Sequence, residues 1–142
     1  MTPWHLLDYV TPDGRNPFQE WYATLDAEAQ AALDDTVLEL KAIDDWTDRE
    51  GKEFKQFTES EAGLSEIRVS VFGEFKPRKF RPSRRRIRAL GLYRPAQREF
   101  IFLDGFEKKH GGFIRIPANA LDLAMRRKQD FEAGKGTTRD HI

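Results

Sequence analysis

The chain has 142 residues, 39% hydrophobic and 34% charged, with zero net charge and no cysteine. That composition suits one folded domain whose long charged side chains cover a modest core. It excludes a disulfide scaffold and any thiolate metal site. No apolar run approaches the roughly 18 residues of a membrane span, and MTPWHLLDYV lacks the basic-then-apolar order of a signal peptide. A cytoplasmic protein without a membrane partner is the expectation.

Trp4 to Val10 reads as a short first strand, closed by the turn residues Thr11-Pro12-Asp13-Gly14. Pro17 then opens a helix in which Phe18, Trp21, Tyr22 and Leu25 recur at helical spacing. Asp26 is a good N-cap for a second helix, and Ala29, Leu33, Val37 and Leu40 form its apolar stripe. The first half is thus an acidic helical hairpin. Residues 47 to 62 have no period and read as a loop or a frayed short helix.

From Gly63 the period becomes two. Ile67, Val69 and Val71 alternate with Glu66, Arg68 and Ser70, as in a half-buried strand. GEFKPRKFRPSRRR, residues 73 to 86, holds two prolines and reads as a long connection. Residues 86 to 93 and 98 to 106 form two further strands around the turn Pro95-Ala96-Gln97, giving an antiparallel meander. Pro117 opens a last helix with Leu121, Ala124, Met125 and Phe131 on one face and Gly134 at its end. The tail, 134 to 142, is expected to be loose. The fold class is α+β, a single domain over 1 to 142, with an N-terminal helical hairpin on a small antiparallel sheet and a C-terminal helix.

Charge is divided along the chain. Residues 1 to 66 carry 16 acids against 5 bases, a net −11, and residues 67 to 142 carry 19 bases against 8 acids, a net +11. A protein divided this way can turn a positive face to a polyanion, although charge blocks are also commonly plain solvated surface. There is no P-loop, GxGxxG, GxSxG or HExxH. His5, His110 and His141 are scattered, so no zinc site is expected. Asp34-Asp35 and Asp44-Asp45 are helix neighbours pointing about 100° apart, which suits a solvated face better than a shared ion. No cofactor is implied.

The candidate chemistry lies in the basic half. Arg68 and Arg88 fall within strands, and the third strand closes on Lys108, Lys109 and His110. Converging on one surface, they would hold a phosphodiester and stabilise its pentacoordinate transition state without a metal. RNA supplies its own nucleophile, the 2′-hydroxyl. His110, or a lysine whose pKa is lowered by neighbouring cations, would serve as base. The bland alternative is that each cation snorkels to water or pairs with the acidic half. In the connection, Lys76, Arg78, Lys79, Arg81, Arg84, Arg85 and Arg86 interleave with Phe75 and Phe80. That pattern suits RNA phosphates and unpaired bases, and equally a solvated loop or an acidic partner.

GLSEIRV, IRALGLYRP, REFIFLDGFEKK and a helix containing ALDLAMRRKQDF follow one another in an order that resembles the phage-derived, HigB-like branch of the RelE/ParE toxin superfamily, over roughly residues 16 to 132. The resemblance implies a helical hairpin packed on an antiparallel sheet. It also implies the toxin half of a type II toxin–antitoxin pair: a ribosome-dependent mRNA endonuclease, neutralised by a helix-turn-helix antitoxin. By motif, the family's basic strand positions fall on Arg68, Arg88 and the Lys108/Lys109 pair. The competing expectations are a non-catalytic phage-derived module that binds RNA or a protein through its basic face, and a gyrase-directed ParE-like toxin.

Overall fold

In the computed structural model, the structure describes residues 3–57, 63–72, 84–108 and 116–141. Strand β1 (His5–Val10) leads to helices α1 (Pro17–Tyr22) and α2 (Ala27–Lys41), then a 3-10 turn at Trp46–Arg49 and strand β2 (Phe54–Gln56). Strands β3 (Ser65–Phe72), β4 (Arg84–Arg94) and β5 (Glu99–Lys108) precede helix α3 (Ala118–Glu132) and strand β6 (Thr137–Asp140). The six strands form one mostly antiparallel sheet in the order β2-β3-β4-β5-β1-β6. No helix among the described residues is long and apolar enough to cross a membrane.

Local chemistry sets the helix ends. The Asn16 side chain accepts from the Gln19 amide at 3.0 Å, with Pro17 in the first turn of α1. Asp26 accepts from the Ala29 amide at 2.9 Å at the start of α2. Each side-chain cap satisfies an amide that the helix leaves without a partner, and is worth about 1 kcal/mol. At the end of α3, Gly134 takes φ +78, a left-handed conformation that a side chain would disfavour.

Helices cover both faces of the sheet. On one, Phe18, Leu33, Val37 and Leu40 from α1 and α2 bury against Val69, Ile87, Phe100 and Phe102. On the other, Ala120 and Ala124 of α3 bury against Leu90, Leu92, Ile101 and Leu103. Trp4 stacks on Trp46 at 4.6 Å and on Tyr93 at 5.4 Å, joining the start of the chain to the segment after α2. Opposite Leu90 and Gly91 the register shifts: Leu90 partners Asp104 and Gly91 partners Phe102, leaving Leu103 as the extra residue of a bulge.

Four features differ from the sequence expectation. The sheet is not purely antiparallel, because β1 runs parallel to β5. Parallel neighbours need a long crossover, so no local turn signal marks them. The segment from 47 to 62, expected as a loop or a frayed short helix, holds the end of the 3-10 turn and also β2, whose three residues bury only Phe54 and are too few to display a period. Strand β4 begins at Arg84, inside the expected connection: there Arg85 finds Glu107 and Asp26 on one face and Arg86 lies opposite Lys108 on the other. The expected loose tail supplies β6, which pairs antiparallel with β1. Backbone hydrogen bonds, not apolar side chains, hold that strand.

Candidate nucleic-acid interface

Sheet register decides which cations share a face. Arg68 of β3 lies directly opposite Arg88 of β4. Across the other side of β4, Arg88 lies opposite Phe106, and Arg86 lies opposite Lys108 of β5. Side chains alternate along a strand, and residues paired across strands point the same way. Glu66, Arg68, Ser70, Arg86, Arg88 and Lys108 therefore share one face. It is the α3 face, at the end of the strands beyond Leu90.

Glu66 organises this cluster. It is buried, and its Oε1 accepts from Arg68 Nε at 2.8 Å and lies 3.6 Å from Arg88 Nε. Arg88 is itself buried and donates to the Ile87 carbonyl at 3.1 Å, while Arg68 reaches the Gly51 carbonyl at 3.5 Å. Burial holds the Lys108 ammonium below the usual lysine range, and the charges of Arg88, Arg86 and Arg68 add to that, opposed by Glu66. A less strongly held proton suits Lys108 to exchange protons with a substrate.

At the edge of β3 an open cleft of about 480 Å³ is lined by Arg68, Ser70 and Arg88 together with Lys52, Glu53 and, from α2, Thr36 and Glu39. Its walls therefore carry both signs. Glu53 Oε2 is buried there without a hydrogen-bond partner among the described residues.

No protein-family model matches this chain, and neither does any curated protein or solved structure. The placement of the individual side chains is what bears on function.

Of the residues singled out in the sequence, Arg68, Arg88, Lys108 and Arg86 come together. Arg85 does not join them: it points to the opposite face. There it donates to Glu107 at 2.7 Å and to Asp26 at 2.5 Å, and these bonds, Glu107 foremost, raise its pKa. Lys109, His110, Lys76, Arg78, Lys79 and Arg81 lie outside the described residues, as does the side chain of Arg84. Strand alternation places Glu66 on the wet side of a half-buried strand, whereas the structure buries it between two arginines. A signal was present, since Glu66 and Arg68 stand two apart on one strand face with opposite charge.

Proposed function

We propose that this chain is the toxin half of a type II toxin–antitoxin pair, a cytoplasmic, ribosome-dependent, metal-free mRNA endonuclease countered by a helix-turn-helix antitoxin. The observation that carries the reading is the convergence of Arg68, Arg88, Arg86 and Lys108 from three adjacent strands onto one face. In this reading Arg68 and Arg88 hold the scissile phosphate, and Lys108 faces the charge that grows in the transition state. The 2′-oxygen attacks phosphorus while the bond to the 5′-oxygen breaks. A base takes the 2′ proton, and an acid protonates the departing 5′-oxygen. Lys108, with its lowered pKa, supports one of these proton transfers. Lys109 and His110 follow it directly in sequence and are proposed to complete the set. Lys76, Arg78, Lys79, Arg81 and Arg84, with Arg86, would contact the RNA backbone, while Arg85 stays with Glu107 and Asp26 on the other face.

One observation favours the competing reading, a non-catalytic module for RNA or an acidic protein. Glu66 already neutralises part of the arginine pair, and such an arrangement holds a phosphate more readily than it cuts one. Adding the purified chain to a translating bacterial extract and mapping new mRNA 5′ ends, with and without ribosomes, separates the two. Ribosome-dependent cuts that vanish in Arg68→Ala and Lys108→Ala support the nuclease. An intact message beside folded protein that still binds RNA supports the module.

A further inference from the structure

The open cleft at the edge of β3 shares Arg68 and Arg88 with the basic face, yet its lining does not suit a phosphate alone. Glu39 of α2 and Glu53, just before β2, bring two carboxylates to the same walls as those arginines and the exposed Lys52. A phosphate seated deep in the cleft would meet both carboxylates, and a bare cation would meet Lys52, Arg68 and Arg88. The α2 wall adds a further acceptor, because the Thr36 hydroxyl already donates to the Ala32 carbonyl at 2.9 Å. At about 480 Å³ the cleft is within the range of small-molecule sites. Its chemistry asks for a neutral group that offers donors to a carboxylate and an acceptor to a lysine.

Glu53 narrows the choice. Its backbone carbonyl accepts from the Arg68 amide at 2.8 Å, which extends the β2–β3 pairing by one step and seats Glu53 beside the strand that carries Arg68. Its side-chain Oε2 is buried without a hydrogen-bond partner among the described residues. A carboxylate oxygen withdrawn from water and left without a donor is costly, and a ligand that brings a donor removes that cost. Arg68 does not fill the role, since its Nε is given to Glu66 and its Nη1 to the Gly51 carbonyl. Unpaired RNA bases are neutral and carry donors and acceptors together on one edge. Of the four, guanine alone presents two parallel donors, N1–H and N2–H, that match a carboxylate, with the acceptor O6 next to them.

We infer that this cleft is a base-reading subsite for an unpaired guanine of RNA, whose N1–H and N2–H donate to the Glu53 carboxylate and whose O6 accepts from Lys52, while Arg68 and Arg88 hold the adjoining phosphate. The inference rests on the proposal that the basic face holds RNA, whether or not that RNA is cut.

The test uses the full chain and the nucleoside 3′,5′-bisphosphates, which carry a phosphate on each side of the sugar and no diester to cut. Titration calorimetry at one fixed salt concentration should show guanosine bisphosphate binding about tenfold more tightly than the adenosine, cytidine and uridine compounds. Inosine bisphosphate, which lacks only the N2 amine, should lose most of that advantage, and this comparison needs no variant. Folded Glu53→Gln should lose the guanosine preference while binding the other bases as the parent does. Absent or equal binding of the four bases, no penalty for inosine, or a preference retained in Glu53→Gln would each overturn the inference. Its failure is distinct from that of the nuclease reading. A guanosine preference beside an intact message in the translating extract keeps the subsite and rejects the nuclease, whereas ribosome-dependent cuts without the preference keep the nuclease and reject the subsite.

Discussion

Glu66 Oε1 lies 2.8 Å from Arg68 Nε and 3.6 Å from Arg88 Nε, so a single buried carboxylate balances two guanidiniums on neighbouring strands. Removing one member of a buried ion pair leaves the rest uncompensated in a low dielectric, which costs about 3–5 kcal/mol. Glu66→Ala should therefore destabilise the fold by about that amount in urea unfolding. Glu66→Gln keeps the shape and one acceptor oxygen and should cost less. Combining Glu66→Ala with Arg68→Met should recover part of the loss, because the second change removes one stranded cation. Independent, additive losses would mean that the carboxylate does not organise the arginines.

Lys108 carries the opposite problem, a cation partly buried among cations. Burial first, then Arg88, Arg86 and Arg68, lower its pKa in the folded state below the 10.5 of a free lysine side chain. Between that lowered value and 10.5 the unfolded chain binds more protons than the folded one, so stability contributed by this site rises with pH there. Lys108→Met should accordingly be more stable than the parent at neutral pH, by up to about 1 kcal/mol. That advantage should shrink as pH climbs through the lowered pKa. Paired urea midpoints from pH 7 to 10.5 measure the gap. A gap independent of pH would assign the gain to the methionine's packing and not to lost repulsion.

What could be read from the sequence follows from which interactions are local. The stripe Ala29, Leu33, Val37 and Leu40 repeats at helical spacing, and all four residues are buried on the sheet. The meander β3-β4-β5 was legible because period-two alternation and the Pro95-Ala96-Gln97 turn both act over a few residues. The pairing of β1 with β5 joins segments more than ninety residues apart, and Asp8 meets His141 across 133 positions, so no spacing announces either. Glu66 departs from its alternation pattern for another reason. Alternation predicts one wet face, but this face is walled by the arginine side chains themselves, and the acid beneath them is withdrawn from water.

Tyr22 offers a titration of known sign. Its hydroxyl donates to Asp34 at 2.9 Å, and burial, followed by that hydrogen bond and the carboxylate's charge, pushes its pKa from 10.0 up to about 12. A raised native pKa means the folded state holds the proton more tightly. The contribution is complete below pH 10 and is lost as pH rises through about 12. Tyr22→Phe should cost about 0.5–1.5 kcal/mol at neutral pH. It should also lose less stability than the parent between pH 10 and 12, so the two unfolding curves should converge there. Phenolate absorbance gives a second check: burial raises Tyr9 and Tyr93 as well, so the late-ionising absorbance of the parent should lose one tyrosine's share in the variant. Divergence of the curves with rising pH would contradict the assignment.

Gly105 and Trp21 make the joint between α1 and the sheet. Gly105 lies in β5 opposite Ala89, and a Cβ built on it would fall within the indole of Trp21. The flat, unsubstituted backbone at this point is what lets the ring of Trp21 lie against the strand, next to Phe18 at 5.4 Å. Gly105→Ala must push the ring aside, and overpacking of this kind costs about 1–3 kcal/mol. In a Trp21→Ala background the same substitution meets open space and should be nearly neutral, so a double-mutant cycle should return a coupling of about 1–3 kcal/mol. Gly91→Ala provides the contrast. There the added carbon meets the Ile101 carbonyl as well as the Phe100 ring, and trimming the aromatic would leave the backbone clash in place. Phe100→Ala should therefore fail to rescue Gly91→Ala where Trp21→Ala rescues Gly105→Ala. Equal rescue at both positions would mean that strand β5 moves and the aromatic rings do not.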